Sequence, residues 1–135
     1  MNRAIEVAKK ATGEIPVGAI VVCNGEIVAK AHNQKEALND VTAHAEILAL
    51  REASKKLGRW RLDDCIMYVT LEPCPMCAWA INNARLKAVY FGSYDTKYGA
   101  LGSVMDFGTN MQVYGGIQEN ECNALLENFF NEVRT

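Results

Sequence analysis

A three-layer α/β/α domain around a central mixed sheet of about five strands is predicted by three features of the sequence. First, a Val- and Ile-rich run, Ile15 to Cys23, is joined through Asn24-Gly25 to a second run, Glu26 to Ala31, the pattern of an antiparallel hairpin. Second, the segments beyond it alternate between short apolar runs and amphipathic stretches, as parallel strands joined by helices do. Third, 135 residues, half of them hydrophobic, suit a single domain spanning 1–135 and leave little room for another.

The elements follow in order. Residues 2–12 read as a short helix, with Ala4, Ile5, Ala8 and Ala11 at helical spacing and Thr12-Gly13 as its stop. The hairpin comes next, then a polar stretch over 32–41. Thr42 is a suitable N-cap for a helix running to Leu57, with Gly58 ending it and Ile47, Leu50 and Leu57 facing the core. Cys65 to Leu71 forms a strand, a short helix runs from about Cys74 to Ala84, and Lys87 to Gly92 forms the next strand. After a glycine-bearing polar stretch over 93–110, Met111 to Tyr114 is a candidate last strand. Glu119 to Val133 closes the chain as a helix whose apolar face carries Cys122, Leu125, Leu126, Phe129, Phe130 and Val133.

Composition narrows the function classes. No apolar run approaches the ~20 residues that span a bilayer, and the N-terminus lacks the apolar stretch of a signal peptide, so a cytoplasmic protein with no membrane partner is expected. The net charge of −2 gives no broad basic footprint for nucleic acid. Local clusters exist in Lys55, Lys56, Arg59 and Arg61, and in Arg85 and Lys87; a solvated face explains them equally well. Five cysteines, two of them in Cys74-Pro75-Met76-Cys77, point in a reducing compartment to metal or redox chemistry.

Two segments carry chemistry: Thr42-Ala43-His44-Ala45-Glu46 and Leu71-Glu72-Pro73-Cys74-Pro75-Met76-Cys77. Pro75 favours a first helical turn, which makes Cys74 the N-cap and sets Cys77 on the same face. Both sulfurs then sit where the helix dipole favours anions. His44, at the start of the other strong helix, supplies a third ligand. One histidine and two cysteines leave a fourth tetrahedral position open, as catalytic zinc sites do, and zinc brings the pKa of its water towards ~7. Glu46 is then free to take and deliver protons. Residues two apart on an ideal helix point to opposite sides, so His44 has to lie at the uncapped helix end to share a site with Glu46. Taken singly, each piece has a plainer reading: a redox or structural Cys-x-x-Cys, a packed histidine, a first-turn glutamate that complements the dipole.

Together the segments match the His-x-Glu and Pro-Cys-x-x-Cys signature of zinc deaminases. The chain resembles the cytidine deaminase superfamily throughout, and within it the bacterial tRNA-specific adenosine deaminases, through Glu14 to Ala19, His32-Asn33, Thr42 to Glu46, Tyr68 to Ala78, Phe91-Gly92, Asp95 to Ser103 and Glu121 to Leu126. The resemblance implies a cytidine-deaminase-like fold, one Zn2+ per subunit on His44, Cys74 and Cys77, and hydrolytic conversion of adenosine to inosine at the wobble position of a tRNA anticodon loop. In that reaction zinc-bound hydroxide attacks C6 of a base splayed out of its loop, with Glu46 as proton shuttle. It further implies that Asn33 hydrogen-bonds the target nucleotide, Val17 packs near the base, Asp95 and Lys97 touch neighbouring nucleotides, Phe130 lines the pocket, and the enzyme works as a homodimer. Asn33 and Asp95 are equally suited to turns, and Phe129 and Phe130, being adjacent, cannot both face the core. Trp79 and Val41 depart from the small residue and proline usual in the family, and the segment from Met105 to Gly116 is shorter than usual. Two other functions fit the same motifs: deamination of a free base or nucleoside of guanine or cytosine type, and a zinc-stabilised binding module without catalysis.

Overall fold

The chain's computed structural model describes residues 1–108 and 110–134. Asn24 and Gly25 both adopt left-handed backbone angles, φ 51° and 79°, the combination that matches a two-residue turn to the twist of its strands. They join β1 (Gly18–Cys23) to β2 (Glu26–His32) in antiparallel register, with one irregularity between Val21 and Val22. Helix α1 (Asn2–Ala8) precedes this hairpin; α2 (Ala45–Leu57), β3 (Cys65–Leu71), α3 (Pro75–Ala84), β4 (Ala88–Ser93), β5 (Gln112–Tyr114) and α4 (Glu119–Arg134) follow it. The sheet order is β2-β1-β3-β4-β5, with β1 antiparallel to both its neighbours and β3, β4 and β5 mutually parallel. The expected mixed five-stranded sheet with helices on both faces is therefore present. Among the described residues no helix is long and apolar enough to cross a membrane.

One face of the sheet, with Ala19, Val21, Met67, Val69, Val89 and Phe91, packs against α2 and α3 and forms the main core. The opposite face carries α1, whose Ala4 and Val7 sit on Ile20, and α4, whose Cys122 is buried against Gly92 of β4. Gly18 and His32 are register partners, and Ala19 pairs with Val69, so the start of β1 and the ends of β2 and β3 lie at one edge. The loops into α2 and α3 leave from that edge. Carboxyl ends of strands in such sheets are where ligands bind.

Several boundaries differ from those predicted. Helix α1 stops at Ala8, four residues early, in a series of tight turns through Ala11. Strand β1 starts at Gly18 rather than Ile15, since Pro16 has no N–H to give a ladder. Helix α2 starts at Ala45 rather than after Thr42, because the Asp40 carboxylate takes both the Thr42 N–H (2.9 Å) and its hydroxyl (2.7 Å) and holds Thr42 in a turn. The core face of α2 is Ala45, Ala49, Leu50 and Ala53; Ile47 lies off it. The alanines allow α2 to lie close on the sheet, which hydrophobicity alone did not reveal. On α4 only Cys122 of the expected apolar face is buried, while Phe130 and Val133 are 43% and 67% exposed.

Gly18 marks a second close approach. A Cβ there would lie 2.1 Å from the Ala4 carbonyl oxygen and 2.6 Å from the Ala8 nitrogen, both backbone atoms of α1. Gly18→Ala is expected to push α1 off the sheet and cost about 1–3 kcal/mol of stability, measurable as a lower urea midpoint.

Candidate metal centre and active site

His44 and Cys74 are the N-caps of α2 and α3, and both have extended backbones (φ −72°, ψ 151° and φ −73°, ψ 172°). A cap residue stands outside the helical spiral, so its side chain can turn across the helix end. The two ends meet: His44 Nδ1 lies 3.7 Å from Cys74 Sγ and 3.5 Å from Cys77 Sγ. A tetrahedral zinc ion with its usual bond lengths holds sulfur and nitrogen about 3.5 Å apart. The three donor atoms all lie within 4.8 Å of one another and could hold a metal ion. Their chemistry and spacing fit zinc.

The sulfurs are strongly unequal. Cys74 is drawn down to about 4, chiefly by the Cys77 S–H, against the opposing effect of burial. Cys77, fully buried, is pushed up by the same pairing and by desolvation. His44 is raised, first by its contact with Cys74. The pair thus shares a proton that a dication would expel.

Glu46, the second residue of α2, is 4% exposed. Burial raises its carboxyl to about 7, against the pull of His44. The problem of two residues two apart is resolved by the cap: His44 precedes the helix, Glu46 belongs to it, and both line one cavity of about 470 Å³ together with Cys74. That volume lies within the range of small-molecule and cofactor sites.

Residues 1–93 match the family model for the cytidine and deoxycytidylate deaminase zinc-binding region. The chain belongs to this family. It is 47% identical to the tRNA-specific adenosine deaminase of Bacillus subtilis (strain 168), covering 99% of this chain and 88% of the relative. A solved structure from studies of A-to-I editing by tRNA:A34 deaminases at the wobble position of transfer RNA superposes with a TM-score of 0.91 at 42% identity, covering 93% of this chain and 97% of that one. A guanine deaminase from Bacillus subtilis is also similar, with a TM-score of 0.67 and 43% identity over 79% of this chain and 69% of that one.

In this deaminase Val17, buried at 4%, and Asn33 also line the cavity. The Asn33 amide is already partly engaged: its Nδ2 donates to the Ile15 carbonyl (3.1 Å) and its Oδ1 accepts from Ala45 N (2.8 Å), the first amide of α2. It takes over the capping that His44 does not provide. Asp95 lines the rim and accepts from the Lys97 and Tyr98 amides, each at 3.0 Å. Lys97 is exposed and does not line the cavity; its Nζ lies 5.4 Å over the Tyr98 ring. Phe130 does not line it either. Phe129 does, for a reason visible in the spacing: seven residues separate it from buried Cys122, so the two share a helix face.

Sequence reasoning missed Tyr98 at the rim and, above all, Glu72. Its fully buried carboxylate accepts from the amides of Asp95 (3.1 Å), Leu101 (3.0 Å) and Ser103 (3.1 Å) and from the Ser103 hydroxyl. Gly99 passes so close that a Cβ there would lie 2.4 Å from the Glu72 carboxyl carbon. Glu72 therefore ties the 95–103 loop to the segment that carries Cys74. Glu72→Gln places an amide N–H against backbone donors and is expected to cost about 1–3 kcal/mol. Denaturant titration checks the loss, and faster hydrogen exchange at Leu101 and Ser103 checks its location.

Proposed function

We propose that this protein deaminates adenosine to inosine at the wobble position of a tRNA anticodon, with His44, Cys74 and Cys77 holding one zinc ion and Glu46 moving the protons. The observation that carries this reading is a buried carboxylate lining one cavity with His44 and Cys74, two members of a His-Cys-Cys donor set, in a chain so similar to tRNA-specific adenosine deaminases over nearly its whole length.

When bound, zinc supplies a water ionised near neutral pH. The chain's own groups do the rest. Glu46, which burial holds near 7, would take one proton from the attacking water as its oxygen bonds to C6 and pass it to N1 of the base, then take the remaining proton from that oxygen and give it to the amine, which leaves as ammonia. Val17, Leu71 and Phe129 give the cavity apolar walls that grip the flat base and keep bulk water away. The free hydrogen and lone pair of the Asn33 amide orient the nucleotide. Asp95 and the exposed Lys97, on the loop fastened by Glu72, meet nucleotides beside the target. Single-stranded anticodon loops let a base swing out at low cost.

The enzyme acts as a homodimer in the cytoplasm. What supports the dimer is an uncovered apolar stripe on α3: Met76 and Trp79, one turn apart, are 37% and 55% exposed, and the Trp79 ring meets Phe107 edge-on at 5.8 Å. Trp79, unusual for the family, then packs at the subunit contact.

The likeness to a guanine deaminase and the net charge of −2 favour a second reading, a free-base deaminase. Incubation with an anticodon stem-loop bearing wobble adenosine, with guanine and with cytidine separates the two. Inosine in the stem-loop, formed at a rate that falls steeply with added salt, is expected; ammonia from the free compounds alone would reject the tRNA assignment. Glu46→Gln should bind as much zinc as the native protein and lose about 10²–10⁴-fold in turnover. Cys77→Ala should bind one zinc fewer per chain, by elemental analysis, and lose activity altogether.

A further inference from the structure

A second donor cluster lies at the other end of the same strands. Cys23 closes β1 and Cys65 opens β3, and they are direct partners in the antiparallel register. Their side chains therefore leave the sheet on the same face, and both belong to the core beneath α2 and α3. Asp64 precedes Cys65 and turns its carboxylate onto the pair: Oδ2 is 3.5 Å from Cys23 Sγ and Oδ1 is 3.6 Å from Cys65 Sγ. The three donors lie within 4.8 Å of one another. A tetrahedral zinc ion holds sulfur and carboxylate oxygen about 3.6 Å apart. These edges resemble those of the His44 cluster, yet the site is separated from it by the length of β3, about 20 Å.

We propose that Cys23, Cys65 and Asp64 form a second site for a thiophilic divalent cation, zinc being the species that fits. Two sulfurs exclude the hard cations, which require oxygen ligands throughout. Arg59 also holds this carboxylate, with Nη2 2.6 Å from Asp64 Oδ1, the oxygen nearer Cys65, as groups outside a metal's own ligands commonly do. A dication and the Arg59 guanidinium together offset two thiolates and one carboxylate. Binding expels both thiol protons to solvent. Asp64, with its side chain 45% exposed, provides the path inward and leaves the fourth position to water. The occupied site would fasten the hairpin to β3 and to the turn after α2.

The test is zinc stoichiometry of the whole protein after equilibrium with a zinc buffer. Two equivalents per chain are expected for the native protein and one for Cys23→Ala, with inosine formation unchanged in the variant. Asp64→Asn, a change at an exposed position, should weaken the second equivalent at least tenfold and abolish the rise in Tm that accompanies it. A single equivalent in the native protein at saturating zinc would overturn the proposal. So would an undiminished second equivalent in Asp64→Asn, which decides the matter even if Cys23→Ala fails to fold. The readout is independent of the proposed reaction: two equivalents without RNA deamination would leave this site standing and reject the function.

Discussion

Two helices begin within reach of a common cation, and the rest of the site is arranged around that meeting. His44 and Cys74 occupy equivalent places, each the last extended residue before a helix, and each leaves the helical spiral just where its side chain must cross to the other. An imidazole one residue further along α2 would point away from Cys77. The backbone at the caps is therefore as much a part of the centre as the donor atoms, and the dipoles of both helices favour the negative charge gathered there.

Such an arrangement needs braces, because a cap whose side chain serves a metal no longer satisfies the first amides of its helix. Neither His44 nor Cys74 makes a side-chain cap hydrogen bond. Asn33, twelve residues before Ala45, supplies the missing acceptor for α2 and anchors Ile15 with its other end. Glu72 does comparable work on the far side, gathering three amides of the 95–103 loop onto a carboxylate two residues from Cys74. The 95–103 loop and the segment that carries Cys74 are thereby fastened to each other.

How much of this the sequence disclosed depended on whether the relevant signal was local. Asn24-Gly25, Pro75 and Gly58 each state a backbone conformation in one or two residues, and the hairpin, the start of α3 and the end of α2 are where they indicate. The separation of strands by helices gave the mixed sheet. The His-x-Glu and Cys-x-x-Cys segments named the cluster, since few chemistries need those types at that spacing. What was illegible required partners distant in the chain. Thr42 looks like a cap until Asp40 takes its hydroxyl; Asn33 looks like a turn residue until Ala45 arrives; Glu72 looks like part of a motif until the loop 23 to 31 residues later folds onto it. Phe129 and Phe130 differ by one helical step, which only the burial of Cys122 resolves. Cys23 and Cys65 had no signal at all before the register of β1 on β3 brought them face to face.

The site's charge follows the same logic as its geometry. Burial raises the Glu46 carboxyl to about 7, while the Cys77 S–H draws Cys74 down to about 4, so the proposed proton carrier and the donor set are tuned within one cavity by different causes. Anomalous diffraction at the zinc edge from crystals of the native protein tests this directly. The account predicts a peak within about 2.3 Å of both Cys74 and Cys77 sulfurs and about 2.0 Å of His44 Nδ1, with Glu46 nearby but unbound and no fourth protein ligand. A peak closed off by a fourth side chain, or none between these three residues, would contradict it.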